Sequence, residues 1–204
     1  CSKIIRQNSS DGLKAKIKLH KSNDERMEIQ HQNKRLELMM NMDELTNCLN
    51  RRFFDHYLVK QFAENPNHPL GIAMIDIDCF KEYNDYYGHI EGDKILYEVG
   101  ASLDKFKQES FHVCRFGGDE FACIFEHCSS EDIEAYLKAV YEDLAKKKLA
   151  HEKSNVSSIV TISTGYVLCA ECSDLEMMIR CADEALYHAK RNGRNCWRKS
   201  IKSI

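Results

Sequence analysis

The sequence predicts an α+β domain with a ferredoxin-like βαββαβ core, preceded by an N-terminal helical stalk. Three observations carry that expectation. Between residues 70 and 168 the hydrophobic patterning reads strand, helix, strand, strand, helix, strand, which is the split βαβ order. Gly117-Gly118-Asp119-Glu120 separates two short β-rich runs, as a hairpin turn does. Residues 1–42 differ in kind, being rich in Lys, Glu, Asn and Gln and lacking aromatic residues and proline.

The elements follow in order. In the stalk, Ile29, Leu36 and Met40 recur with Asn33 in the intervening position, a spacing compatible with a coiled-coil seam. Ser22 and Arg26 interrupt it, so a dimerising stalk and a solvated linker helix both fit. Residues 43–204 form the domain. Residues 52–64 read as an amphipathic helix stopped by Asn65-Pro66-Asn67-His68-Pro69, which holds the only two prolines in the chain. Residues 70–75 are an apolar run of strand length, and residues 91–107 place Ile95, Leu96, Val99 and Leu103 on one helix face. Residues 112–116 and 121–125 are the hairpin strands. A helix starts at Ser130, with acids in its first turn and Lys146-Lys147-Lys148 at its end, as the helix dipole favours. Residues 159–168 are β-branched and strand-like, and residues 175–192 form a closing helix stopped by Gly193.

This order has a geometric consequence. A single crossover helix makes the first two strands parallel and brings their C-terminal ends to one edge of the sheet. Asp76 and Asp78 follow the first strand, and Asp119 and Glu120 sit on the hairpin after the second, so these carboxylates are expected to meet. Clustered carboxylates repel, and a fold tolerates them mainly where a cation or a proton is shared. With oxygen donors and no paired His or Cys nearby, Mg²⁺ or Mn²⁺ is the natural guest. Ordinary loop and turn acids fit the same positions, and topology alone does not decide between the two.

Composition narrows the partners. With 29 Lys plus Arg against 32 Asp plus Glu, the net charge of −3 lacks the positive excess of a chain that binds a nucleic acid polymer through its whole surface. At 43% hydrophobic and 30% charged residues, the chain is too apolar for disorder. Its ten cysteines are scattered, mostly within apolar runs, with no secretory signal and no span of membrane length, so a reducing cytoplasm is expected. Cys169-Ala170-Glu171-Cys172 lacks the second pair or histidine that a tetrahedral zinc site needs. The chain begins at Cys1, so an upstream sensory part is expected, and any membrane attachment would come through such a part.

Arg115-Phe116-Gly117-Gly118-Asp119-Glu120-Phe121 resembles the signature of GGDEF domains, the diguanylate cyclases. The resemblance runs from Asp43 to Arg198. It includes Asp43-Glu44-Leu45-Thr46-Asn47-Cys48-Leu49-Asn50-Arg51-Arg52, a turn joining stalk to domain. Asp76-Ile77-Asp78-Cys79-Phe80-Lys81, Asn84-Asp85, Gly88-His89 and Gly92-Asp93 follow. Ala182-Asp183-Glu184-Ala185-Leu186-Tyr187 and Ala189-Lys190-Arg191-Asn192-Gly193-Arg194-Asn195 close it.

The resemblance implies condensation of two GTP molecules into cyclic di-GMP, with release of two pyrophosphates, at a homodimer in which each protomer holds one GTP. By matching position it makes Asp76, the Ile77 carbonyl, Asp119 and Glu120 the ligands of Mg²⁺ or Mn²⁺, with Asp119 and Glu120 catalytic and Glu120 helping to deprotonate the 3′-hydroxyl. Asp93 and Asn84 stand at the guanine positions. One carboxylate suits the adjacent N1–H and 2-amino donors of guanine, a pair that adenine lacks. Phosphate binding falls to the backbone N–H groups of Cys79, Phe80 and Lys81, with Lys190 and Arg194 supplying charge. The stretch Gln108-Glu109-Ser110-Phe111 lacks both charges of the family's Arg-x-x-Asp inhibitory site, so product inhibition there is expected to be absent or weak.

Overall fold

The computed structural model describes residues 26–29, 32, 39–64, 69–169 and 174–200. Most of the expected stalk, with Asn33 and Leu36 of its seam, lies outside the described residues, as do residues 65–68 of the expected helix stop and Cys172. The chain divides into two compact units, Cys1–Asn41 and Met42–Ile204. In the first, residues 26–29 and 39–41 are helical.

The second unit contains β1 (Leu49–Asn50), α1 (Arg51–Glu64), β2 (Leu70–Ile77), α2 (Phe80–Tyr87), α3 (His89–Lys105) and β3 (Phe111–Gly117). It continues through β4 (Glu120–Glu126), α4 (Ser130–Lys147), β5 (Ile162–Leu168), α5 (Leu175–Arg191) and β6 (Trp197–Lys199). One sheet has the order β1-β3-β4-β2-β5-β6. Its inner strands, β3-β4-β2-β5, have the ferredoxin-like arrangement, and short parallel strands are added at the two edges.

Strand β2 is central and buried along its whole length. Its side chains alternate between two cores, as the period of a strand requires. Ala73, Ile75 and Ile77 pack with residues of α2, α3 and α4, while Leu70, Ile72 and Met74 pack with Phe54 and Leu58 of α1 and Met178, Ala182 and Leu186 of α5. Helices therefore cover both faces of the sheet, and the loops at its edge are left to carry chemistry.

As expected, strands β2 and β3 run the same way, with β4 between them and antiparallel to both. Two details depart from the sequence expectation. The crossover is not a single helix: α2 precedes α3 and is separated from it by Gly88. The run Phe-Lys-Glu-Tyr-Asn-Asp-Tyr-Tyr has weak intrinsic helix propensity, and α2 forms because Phe80 and Tyr83, one turn apart, bury against the core. The last core strand begins at Ile162 rather than 159. Residues 149–160 instead fold back on themselves through an Ala150–Ile159 bridge, with His151 N donating to Ser158 O at 2.8 Å and Val160 N to Leu149 O at 2.8 Å.

Helix α4 is capped as its sequence invites: Ser129 Oγ accepts from Asp132 N at 3.2 Å while Asp132 Oδ2 accepts from Ser129 N at 2.9 Å. No helix among the described residues is long and apolar enough to cross a membrane.

Candidate active site at the C-terminal edge of β2

Sheet register brings the first acids together. Asp76, near the end of β2, is directly opposite Glu120 at the start of β4 and opposite Ser163 of β5. Ile77 N donates to Asp119 O at 3.4 Å, closing the hairpin turn over the end of β2. The turn is held from outside by Arg115, whose Nε and Nη2 donate to Gly118 O at 3.1 and 2.9 Å and whose Nη1 pairs with Asp43 at 3.2 Å. A guanidinium thus joins the turn at the start of the domain to the acid-bearing hairpin.

Asp76 is buried, and the Nζ of Lys190 in the last turn of α5 lies 2.7 Å from its Oδ2. Burial pushes the Asp76 carboxyl up to about 6; Lys190 opposes the rise, and the neighbouring charges of Asp119 and Asp78 add to it. Burial also raises Asp183, one helix face with Lys190, with Glu120 adding to the rise.

Asp78 takes a different part from its neighbour. It is 1% exposed, and its two oxygens accept from Thr161 Oγ1 at 2.8 Å, Ser163 Oγ at 2.7 Å and Asn195 N at 3.0 Å. Arg194 Nε stands 4.0 Å away. Of the four carboxylates expected to meet, register sets Asp76 opposite Glu120, and Asp119 on the adjoining turn is felt at Asp76 through its charge; Asp78 is turned into the protein, where it fastens the turn after α5. Gly193, Arg194 and Asn195 all have positive φ, at 101°, 60° and 47°, and a buried carboxylate bonded to Asn195 N holds this unusual run in place.

The donor set at the edge consists of oxygens, which suits a hard cation, and the buried Asp76 carboxylate already has an ammonium against it. These residues fit a divalent ion by chemistry. Among the described residues no group of three or more His, Cys, Asp or Glu side chains is drawn together as a ready cage. A cavity of about 290 Å³ between α5 and β6, lined by Glu184, His188, Asn192 and Arg198, contains none of the residues expected to act.

The remaining sequence candidates flank this edge. Cys79, with φ 57° and ψ 32°, is the left-handed residue that starts α2, and its carbonyl accepts from Tyr83 N at 3.0 Å. Phe80 is buried and Lys81 exposed. The first-turn N–H groups of a helix have no partner within it, so this turn offers donors to an anion. Asn84 lies against Gly92, next to the exposed Asp93: a Cβ on Gly92 would stand 1.9 Å from Asn84 Oδ1. That oxygen is buried and has no hydrogen-bond partner among the described residues. Gln108–Ser110, the site lacking the inhibitory charges, form the turn before β3, where Phe111 N donates to Gln108 O at 3.0 Å.

Asp78 as an anchor, Asp183 and His151 escaped the sequence reading as contributors. Asp183 shares a face with Lys190 by helical spacing, a signal that was present. Asp78 bonds Thr161, Ser163 and Asn195, and His151 Nε2 lies 2.9 Å from the Cys79 carbonyl oxygen; all of these partners are distant in the chain, and no local pattern marks them. The cysteines behave as small apolar residues: burial pushes the Cys48 thiol up to about 11 and the Cys123 thiol up to about 12.

Comparison with known proteins gives a consistent picture. The family model described as "Diguanylate cyclase, GGDEF domain" matches residues 40–196. The chain is 36% identical over 166 residues to diguanylate cyclase DosC of Escherichia coli K12, covering 78% of this chain and 36% of that protein. It thus spans less than half the length of these curated relatives. It is similar to the coiled coil and GGDEF domain of DgcB from Caulobacter crescentus, solved in complex with c-di-GMP, with TM-score 0.74 and 27% identity over 90% of this chain and 98% of that one. It is also similar to diguanylate cyclase SiaD of Pseudomonas aeruginosa, solved with its activator SiaC, with TM-score 0.78 and 26% identity over 96% of this chain and 75% of that one.

Proposed function

The chain belongs to the GGDEF diguanylate cyclase family, and from that membership we propose that it condenses two GTP into cyclic di-GMP and two pyrophosphates, one GTP held by each protomer of a homodimer. The observation that carries this reading is the register pair Asp76–Glu120 with Lys190 against it, which assembles acid and base from three separate elements at one edge. Residues 43–204 carry the reaction, and residues 1–42 serve as the stalk that brings two protomers together, delivering the state of an upstream sensory part.

Asp93 accepts from N1–H and the 2-amino group of guanine, and Asn84 completes recognition of the base edge. The N–H groups of Cys79, Phe80 and Lys81 receive the triphosphate, with Lys190 and Arg194 supplying positive charge from the other side. Asp76, the Ile77 carbonyl, Asp119 and Glu120 hold Mg²⁺ or Mn²⁺, which supplies Lewis-acid charge to the phosphates when bound. Glu120 takes the proton of the 3′-hydroxyl as that oxygen attacks the α-phosphate held by the partner protomer, and pyrophosphate leaves. The cytoplasm, which supplies GTP and keeps thiols reduced, is the proposed site of action.

Incubation with GTP and Mg²⁺ followed by mass analysis tests the reading. Cyclic di-GMP is the expected product; GTP binding without any cyclic dinucleotide would instead identify a silent GTP-binding regulatory module. Because Gln108-Glu109-Ser110-Phe111 lacks the inhibitory charges, added cyclic di-GMP should leave the initial rate nearly unchanged, and strong inhibition in the low micromolar range would contradict this.

A further inference from the structure

We propose that His151 is a positioning residue for the triphosphate, acting through the Cys79–Lys81 turn; the inference rests on the GTP reading above and assigns a role to a residue outside every motif of the sequence. It starts from a strained residue. Cys79 has φ 57°, a region that residues with a Cβ seldom adopt and that persists only where neighbours over-determine it. Two contacts beyond its own helix do so. His151 Nε2 lies 2.9 Å from the Cys79 carbonyl oxygen, and the Cys79 thiol donates to Asn155 Oδ1 at 3.2 Å.

The chemistry of the imidazole separates this role from plain packing. A carbonyl only accepts, so Nε2 carries the hydrogen. His151 is 1% exposed, and its Nδ1 is buried with no hydrogen-bond partner among the described residues. A buried polar atom without a partner is costly, and an apolar side chain would fill the space without that cost. What the imidazole adds there is the bond to Cys79.

The hairpin bearing His151 grips α2 at several further points. The His151 ring meets Tyr83 edge-on at 5.1 Å, Glu152 N donates to Tyr87 Oη at 3.1 Å, and Tyr86 Oη donates to Glu152 Oε2 at 3.1 Å. Residues 149–160 are therefore a clamp whose buried contact falls on the carbonyl of the residue that starts the helix. With that carbonyl fixed, the N–H groups of the first turn of α2 keep one direction before the anion arrives, which is preorganisation for phosphate.

The test uses 3′-deoxy-GTP with Mg²⁺, which keeps base and triphosphate but lacks the attacking hydroxyl. Calorimetry should show H151L binding it about tenfold more weakly than the wild type, the scale of one lost hydrogen bond. H151Q, whose amide can still donate to the Cys79 carbonyl, should stay within about threefold. In the nucleotide-free proteins, amide hydrogen exchange in the peptide covering residues 79–87 should speed up in H151L and not in H151Q. Wild-type affinity and exchange in H151L, or H151Q as weak as H151L, overturns the proposal. If H151L does not fold, H151F decides: it keeps a ring against Tyr83 but has no donor for the Cys79 carbonyl, so it should bind about tenfold more weakly than the wild type, and wild-type affinity overturns the role. A wild-type protein that does not bind 3′-deoxy-GTP refutes the GTP reading itself, while the exchange comparison still reports whether His151 holds the turn.

Discussion

At Asp76, burial and charge pull in opposite directions, and burial wins. The carboxyl sits at about 6 rather than 3.8 because water is excluded and Asp119 and Asp78 are near, even with Lys190 at 2.7 Å. Between those two values the folded chain holds a proton that the unfolded chain has released. The contribution of this group to the stability of the metal-free protein is therefore complete below about pH 4, declines as pH rises, and is lost above about pH 6, a change of about 3 kcal/mol at most. Urea unfolding from pH 4 to pH 7 should show that decline, and D76N should flatten it; an unchanged slope in D76N would show that another group is responsible. Asn84 is tested at Gly92. The Cβ of G92A would fall on its amide, the movable end of a side chain, so the amide should shift at little cost in stability while GTP binding weakens about tenfold, as measured by nucleotide titration. Asp76, Asp119, Glu120 and Lys190 were legible in the sequence because a literal string marks each of them. The anchoring role of Asp78 was not, since its partners Thr161, Ser163 and Asn195 are 83, 85 and 117 residues away.

Elements hold the site by close approach as much as by burial. Helix α5, which carries Lys190 and Asp183, lies so near β5 that a Cβ at Gly165 would stand 2.0 Å from Leu186 N and 2.3 Å from Ala182 O. Both obstacles are backbone and cannot swing aside. G165A should therefore push α5 away from the sheet, costing about 3 kcal/mol and lowering the melting temperature by roughly 10 °C. Calorimetric melting measures this, and a wild-type melting temperature would show that the helix shifts freely. The four inner strands were readable as short apolar or β-rich runs and the longer helices from their periodicity, whereas the short edge strands β1 and β6 were not read. Helix α2 was not, because only Phe80 and Tyr83 of its eight residues are buried and the rest of its sequence suits a turn. The 149–160 hairpin was missed for a related reason: a single bridge and a few side-chain contacts define it.

For the whole molecule, the reaction proposed needs two copies of the edge, each with one GTP. The specific rate should therefore rise with protein concentration through the range in which sedimentation detects dimer formation and level off above it; a constant specific rate across that range would show that single chains complete the reaction. Charge is distributed to the same end. A net charge of −3 gives no general attraction for polyphosphate, so the attraction proposed is local: Lys190 and Arg194, first-turn donors of α2, and a carboxylate edge whose oxygen donors suit a divalent ion. The amino-acid sequence by itself determined the family, the βαββαβ order and the residue types gathered at the β2 edge, because hydrophobic period and contiguous motifs are local properties of a chain. Only the tertiary structure decided that Asp78 is an anchor and that His151 reaches the carbonyl of Cys79. Those are facts about register and side-chain direction, set by which surfaces pack together across the fold, and no short stretch of sequence contains them.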